Sequence, residues 1–181
     1  HIDNINFQEL HEANPHLSTD DLIINKIDTD IQQLKPKVVI IDNMTYLKTE
    51  TTQEAKVALE LIRKLNQLKR KYNLSILVIS HTPKIKGGMP ITNNDLAGSK
   101  NLSNLVDSIS AIGKSSRGSD EKYIKLIKCR SGEKVFDTDS VISVRIAKDD
   151  CFLGFKYLNC ENEFEHIKDY QKEQNRIEHE G

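Results

Sequence analysis

At 181 residues, with 37% hydrophobic and 29% charged residues, the chain is long enough to bury one full core and has the composition of an ordinary globular protein. A formal net charge of −1 and a pI near 6.7 exclude the overall basic field of a dedicated nucleic-acid binder, so any such contact must be local. The apolar runs are strand-sized and the opening HIDNINFQEL is acidic and amide-rich, so neither a membrane span nor a secretory signal is expected, and a cytoplasmic protein is.

Within residues 1–34, STDD at 18–21 has the form of a capping box ahead of LIINKIDTDIQQL, where Leu22, Ile23, Ile27, Ile31 and Leu34 recur at helical spacing. Pro36 ends that helix. Residues 37–41, four of them β-branched, read as a strand buried on both faces, and it runs straight into Asp42 and Asn43. QEAKVALELIRKLNQLKRKYN then places Ala55, Ala58, Leu59, Ile62, Leu65 and Leu68 on one stripe, with the basic run Lys69, Arg70 and Lys71 at the end that suits cations. LSILVIS, 74–80, is a second buried strand, so strand, helix and strand make one parallel, right-handed βαβ unit.

Beyond it, TPKIKGGMPITNND reads as a mobile loop and DLAGSKNLSNLVD as a short helix. SISAIGK, KYIKLIKC, SVISVRIA and CFLGFKYL follow as strands, several alternating apolar and polar residues as antiparallel strands with one wet face do. Lys114 and Arg117 fall in a hairpin turn, with incidental charge or a phosphate contact. From 161 onward the chain is charged nearly throughout and reads as a solvated helix or frayed tail, so the expected division is 1–160 as core and 161–181 as tail. Cys129, Cys151 and Cys160, an odd number without C-x-x-C spacing, argue against a disulfide framework or a zinc site and suggest packing roles.

Ligands of an open parallel sheet bind where loops diverge at the carboxyl ends of its strands. Asp42 ends one such strand and Ser80-His81 its neighbour, beside the loop that carries Lys84 and Lys86. Taken alone, each has a plainer reading as well: Asp42 as a strand-end cap, His81 as a half-buried loop histidine, and Lys128 with Arg130 as the wet face of an edge strand.

Four motifs in order favour more than that. VVIIDN resembles the Walker B strand of RecA-like P-loop ATPases, and ILVISHTPK the following core strand of the hexameric helicases, the plasmid RepA type above all. DLAGSKNLSNLVDSI is similar to the segment leading into the next strand, and YIKLIKCRSGE to a strand whose K-x-R-x-G ending is shared with the DnaB and RadA types. The resemblance covers roughly residues 35–145. It implies an α/β RecA-like P-loop core, present in part, with a parallel central sheet, helices on both faces and antiparallel edge strands beyond.

It further implies ATP and Mg2+ as ligands. Asp42 would orient the magnesium, with Asn43 and Ser80 beside the nucleotide, and His81 would sense the γ-phosphate. Lys128 and Arg130 would reach a neighbouring subunit's ATP in a homo-oligomeric ring or filament, and Lys84 and Lys86 would touch nucleic acid, with DNA, single-stranded included, as the expected partner.

The sequence departs from that family in one large respect. It contains no G-x-x-x-x-G-K-[ST], Gly87-Gly88 lacks both the lysine and the helix of a phosphate cradle, and the catalytic glutamate has no counterpart. The expectation is therefore the carboxyl-terminal portion of an ATPase core whose phosphate loop lies upstream of His1, inactive by itself. Its rival is a binding or scaffold module that keeps the fold without the chemistry. A phosphoacceptor receiver domain ranks last, because it needs an acidic pair on an earlier strand and does not continue into an antiparallel run.

Overall fold

The structure is a computed structural model that describes residues 6–43, 52–81, 89–95 and 100–167. It divides into two compact units, His1–His81 and Thr82–Gly181.

In the first unit, α1 (Phe7–Ala13) begins at Asn6, whose side chain accepts from the amides of Gln8 and Glu9. The expected capping box opens α2 (Thr19–Leu34): Ser18 Oγ accepts from Asp21 N at 3.2 Å and donates to the Asp21 carboxylate at 2.7 Å. Leu22, Ile27 and Ile31 are buried from its apolar stripe, whereas Leu34 is exposed. Lys35 closes the helix in the left-handed conformation, immediately before Pro36.

β1 (Val38–Ile41), α3 (Thr52–Tyr72) and β2 (Ser75–Val78) form the expected βαβ unit, and the two strands run parallel with Val38 opposite Ser75 and Ile41 opposite Val78. Ala58, Leu61, Ile62, Leu65 and Leu68 bury one side of α3. Leu61 lies outside the expected stripe, because a helix packed on both a helix and a strand buries a wider arc. Two ion pairs tie α3 to α2: Lys64 to Asp21 at 2.6 Å and Lys71 to Asp28 at 3.1 Å. The strands depart from the expected double-sided burial. Val38, Ile40 and Leu77 are exposed while Val39, Ile41, Ile76 and Val78 are half-buried, so the described residues cover one face of this pair.

The second unit contains a short 3-10 turn (Asn93–Asp95), α4 (Lys100–Leu105) and four strands: β3 (Ser108–Lys114), β4 (Glu121–Cys129), β5 (Val141–Asp149) and β6 (Phe152–Glu161). All four were expected from alternation and turn residues, and they pair antiparallel, each with the next. Ile91, Tyr123, Ile127 and Val141 form the core, flanked by Ile109 and Ala111. Cys129 is half-buried, but Cys151 and Cys160 are exposed, so a packing role is confined to the first.

The expected solvated tail requires correction at its start. β6 continues to Glu161, a 3-10 turn (Glu163–His166) follows, and Glu163, His166 and Ile167 are buried against the sheet. Partners remote in sequence neutralise the polar groups of this strap, which is why a charged stretch can be buried here. Residues 168–181 lie outside the described part.

Candidate functional site

Parallel pairing sets the geometry of the strand ends. Ser75 N donates to Lys37 O and Ile79 N to Ile41 O, each at 2.9 Å, so the ladder is intact to the last residue of β1. Asp42 and Asn43 leave β1 at the same end at which Ser80 and His81 leave β2. All four residues are exposed, and the Asp42–Asn43 peptide bond is cis. The structure thus brings an accessible carboxylate, an amide, a hydroxyl and an imidazole to one edge of the parallel pair. Lys84 and Lys86, expected beside them, lie outside the described residues.

An exposed carboxylate is the hard oxygen donor that Mg2+ takes, and one such ligand suits a metal whose other positions are filled by water and phosphate oxygens. Among the described residues no group of three or more His, Cys, Asp and Glu side chains converges as a self-sufficient metal site.

Lys128 and Arg130 belong to the second unit, where they share a side at the end of β4, as their spacing requires. Lys128 Nζ donates to the backbone carbonyls of Ser103 and Val106, the latter at 2.9 Å. Arg130 Nη2 donates to Asn104 O at 2.8 Å, and Nη1 lies 3.3 Å from Asp107 Oδ1. Both cations thus gather at the carboxyl end of α4, where last-turn carbonyls and the helix dipole attract positive charge. Lys114 is exposed at the end of β3, and Arg117 is paired with Glu161 at 2.7 Å and Glu165 at 3.2 Å, which gives the turn's arginine a structural anchor.

A buried polar cluster escaped the sequence reading. Lys125 Nζ donates to Glu163 Oε2 at 2.5 Å, Ile91 O at 2.7 Å and Thr138 Oγ1 at 2.8 Å, while Glu163 Oε1 accepts from Ile91 N at 2.7 Å. Burial, then the Glu163 charge, pushes the Tyr123 hydroxyl far above its ordinary range. The Tyr123 ring stacks on His166 with centroids 4.9 Å apart, and His166 Nδ1 meets Ser115 Oγ at 2.9 Å. Glu161 Oε1 lies 3.1 Å from His166 Nε2, a charge contact that is not counted as a hydrogen bond. Burial holds the His166 pKa below its usual 6.5 despite that carboxylate. The one weak local sign of this cluster is Lys125 itself, a charge between Ile124 and Leu126 in an apolar strand.

The βαβ unit and the antiparallel run beyond it make a mixed α/β fold with parallel and antiparallel sheets. Among solved structures the chain is similar to a KaiC-like protein from the hyperthermophilic archaeon Pyrococcus horikoshii, with a TM-score of 0.51 and 12% identity, over 82% of this chain and 64% of that one. It also matches a RadB recombinase with a TM-score of 0.44 and 12% identity, over 77% of this chain and 68% of that one. The chain thus spans 64% of the length of the KaiC-like protein. No protein-family model matches it, and no curated protein does. Among the described residues no helix is long and apolar enough to cross a membrane.

Proposed function

We propose that this chain is the carboxyl-terminal part of a RecA-like ATPase core that acts on DNA, in the manner of the helicases of plasmid or mobile-element replication. The observation that carries the proposal is the register of β1 and β2, which sets Asp42 and His81 at one strand-end edge of a RecA-like fold. Asp42 orients magnesium on the nucleotide, Asn43 and Ser80 hydrogen-bond around it, and His81 reports the γ-phosphate. When bound, the magnesium neutralises phosphate oxygens as charge develops on them. Lys128 and Arg130 act on the ATP of a neighbouring copy in a ring or filament, and Lys84 and Lys86 contact the DNA backbone. These 181 residues contain no G-x-x-x-x-G-K-[ST], so the proposed hydrolysis requires a phosphate loop that another part of the working protein would supply.

The test is DNA-stimulated ATP hydrolysis by the complete reading frame and by the 181-residue chain, each with Asp42 and with Asp42→Asn. Activity confined to the complete protein with Asp42, falling about a hundredfold or more with Asn, is the expected result. Silence of all four folded samples would leave the scaffold reading in its place.

A further inference from the structure

The β5–β6 hairpin outruns the sheet that bears it. β4 pairs with β5 only from Ile142 to Arg145, whereas β5 and β6 pair from Val141–Glu161 out to Asp149–Phe152. Among the described residues no strand pairs with the outer side of β6, and along it Phe152, Leu153, Phe155 and Tyr157 are 74%, 67%, 50% and 65% exposed. A long apolar edge strand of this kind is a template for further pairing unless charge or a bulge blocks it, and the one irregularity of β6, at Leu158 opposite Ser143/Val144, falls beyond Tyr157 and leaves residues 152–157 regular. We propose that its occupant is β6 of a second copy of this chain, antiparallel about a twofold axis at Phe155, joining two four-stranded sheets into one.

The backbone has the polarity this needs. Ile146 N donates to Asp120 O at 2.8 Å, away from β6, so Ile146 and Phe155 form a pair that exchanges no hydrogen bonds. By the antiparallel alternation, the N–H and C=O groups of Leu153, Phe155 and Tyr157 point to the free edge. Phe155 can then exchange both bonds with Phe155 of the second copy.

The side chains agree with that register. It sets Phe155 on Phe155, Leu153 on Tyr157 and Gly154 on Lys156, pairing apolar with apolar and opposing no two charges. Moving the axis one residue, to Lys156, opposes two ammonium groups. With about 200 Å² for each fully exposed aromatic-sized side chain, the edge leaves roughly 500 Å² of apolar-residue surface in water per copy, part of which edge-to-edge pairing covers.

Charge also separates this partner from single-stranded nucleic acid, which stacks on aromatics but needs a basic track beside them. Of the three cations on the hairpin, Lys156 is held by Asp149 at 2.9 Å, and Arg145 by Glu121 at 2.8 Å and Asp120 at 3.3 Å, leaving Lys148. The edge is nearly neutral, as self-pairing requires.

Sedimentation of the 181-residue chain across concentration tests this, with Phe155→Lys and Phe155→Glu as variants and circular dichroism as the check on folding. Each variant opposes like charges across the twofold axis and is expected to weaken the dimer about tenfold or more, whereas an equimolar mixture recovers it as a mixed pair visible by native mass spectrometry. Hydrogen exchange at the amides of Leu153, Phe155 and Tyr157 should slow on dimerisation and stay fast in either variant alone. A wild-type chain that is monomeric at every concentration, association that survives both charges, or assembly only on added single-stranded DNA would each overturn the proposal.

Discussion

Lys125 and Glu163, 38 residues apart, meet at 2.5 Å with side chains only 7% and 0% exposed, and this pair fastens the segment after β6 to the sheet. Removing one partner strands the other charge in a place water does not reach. Glu163→Ala or Lys125→Ala is expected to destabilise the second unit by about 3–5 kcal/mol. Lys125→Ala combined with Glu163→Ala should cost less than the two single losses added, a coupling of about 1 kcal/mol or more. Urea unfolding of the four proteins, with exchange at β4 amides as a local readout, decides it. Additive losses would mean that the two side chains do not act together.

His166 lends the same segment a pH dependence. Its folded pKa is depressed by burial, with Glu161, Glu121 and Glu165 opposing and Arg117 assisting. The unfolded state therefore binds the proton more readily, and stability rises with pH wherever it does so. The contribution is fully present above the ordinary value of 6.5 and is lost as pH falls through that value toward the folded pKa, by at most about 1.4 kcal/mol per pH unit. Unfolding free energies measured from pH 8 to pH 5 should decline for the natural chain and stay flatter for His166→Gln. Parallel slopes would remove His166 as the cause.

Much of this architecture was legible because its signals are local. Ser18 with Asp21, the period of Leu22, Ile27 and Ile31, and the alternation along β4 and β5 all act within a few residues, and the structure follows them. The strand-end position of Asp42 and His81 was legible for the same reason, since a buried strand that stops at a polar residue marks its own carboxyl end. The burial of Glu163 and His166 was not. It depends on Lys125, Ser115 and Tyr123, and nothing nearby in sequence distinguishes this charged stretch from a solvated one. Lys128 and Arg130 were legible as neighbours on one side of a strand, but their carbonyl partners at and just after the end of α4 become adjacent only through the fold.

Gly113 marks a close approach that a strand pattern does not explain. A Cβ at this position would overlap the Tyr123 ring, which lies across it from the neighbouring strand. Tyr123 cannot withdraw freely, being stacked on His166. Gly113→Ala is expected to cost about 1–3 kcal/mol through overpacking, against the small gain alanine brings in an open strand. Thermal melts of Gly113→Ala alone and combined with Tyr123→Leu provide the check, the second change restoring part of the loss. If Gly113→Ala is neutral, the ring is free to move.

Lys128 and Arg130 carry the sharpest distinction between a structural and a catalytic role. Lys128 is partly buried on two carbonyls near the end of α4, so Lys128→Ala leaves acceptors without a donor and should destabilise this chain by about 1–3 kcal/mol. Arg130 is half exposed and its ion pair with Asp107 faces water, so Arg130→Ala should cost under about 1 kcal/mol here. The proposed trans-acting role predicts a different pattern in the complete protein: Arg130→Ala lowers hydrolysis about a thousandfold or more with nucleotide affinity retained, because the side chain serves a neighbouring copy. Mixing that variant with an Asp42→Asn protein should restore activity at interfaces where an intact Arg130 meets an intact Asp42. Hydrolysis that tracks the stability of each variant, without recovery on mixing, would mean that the arginine does no more than hold the end of α4.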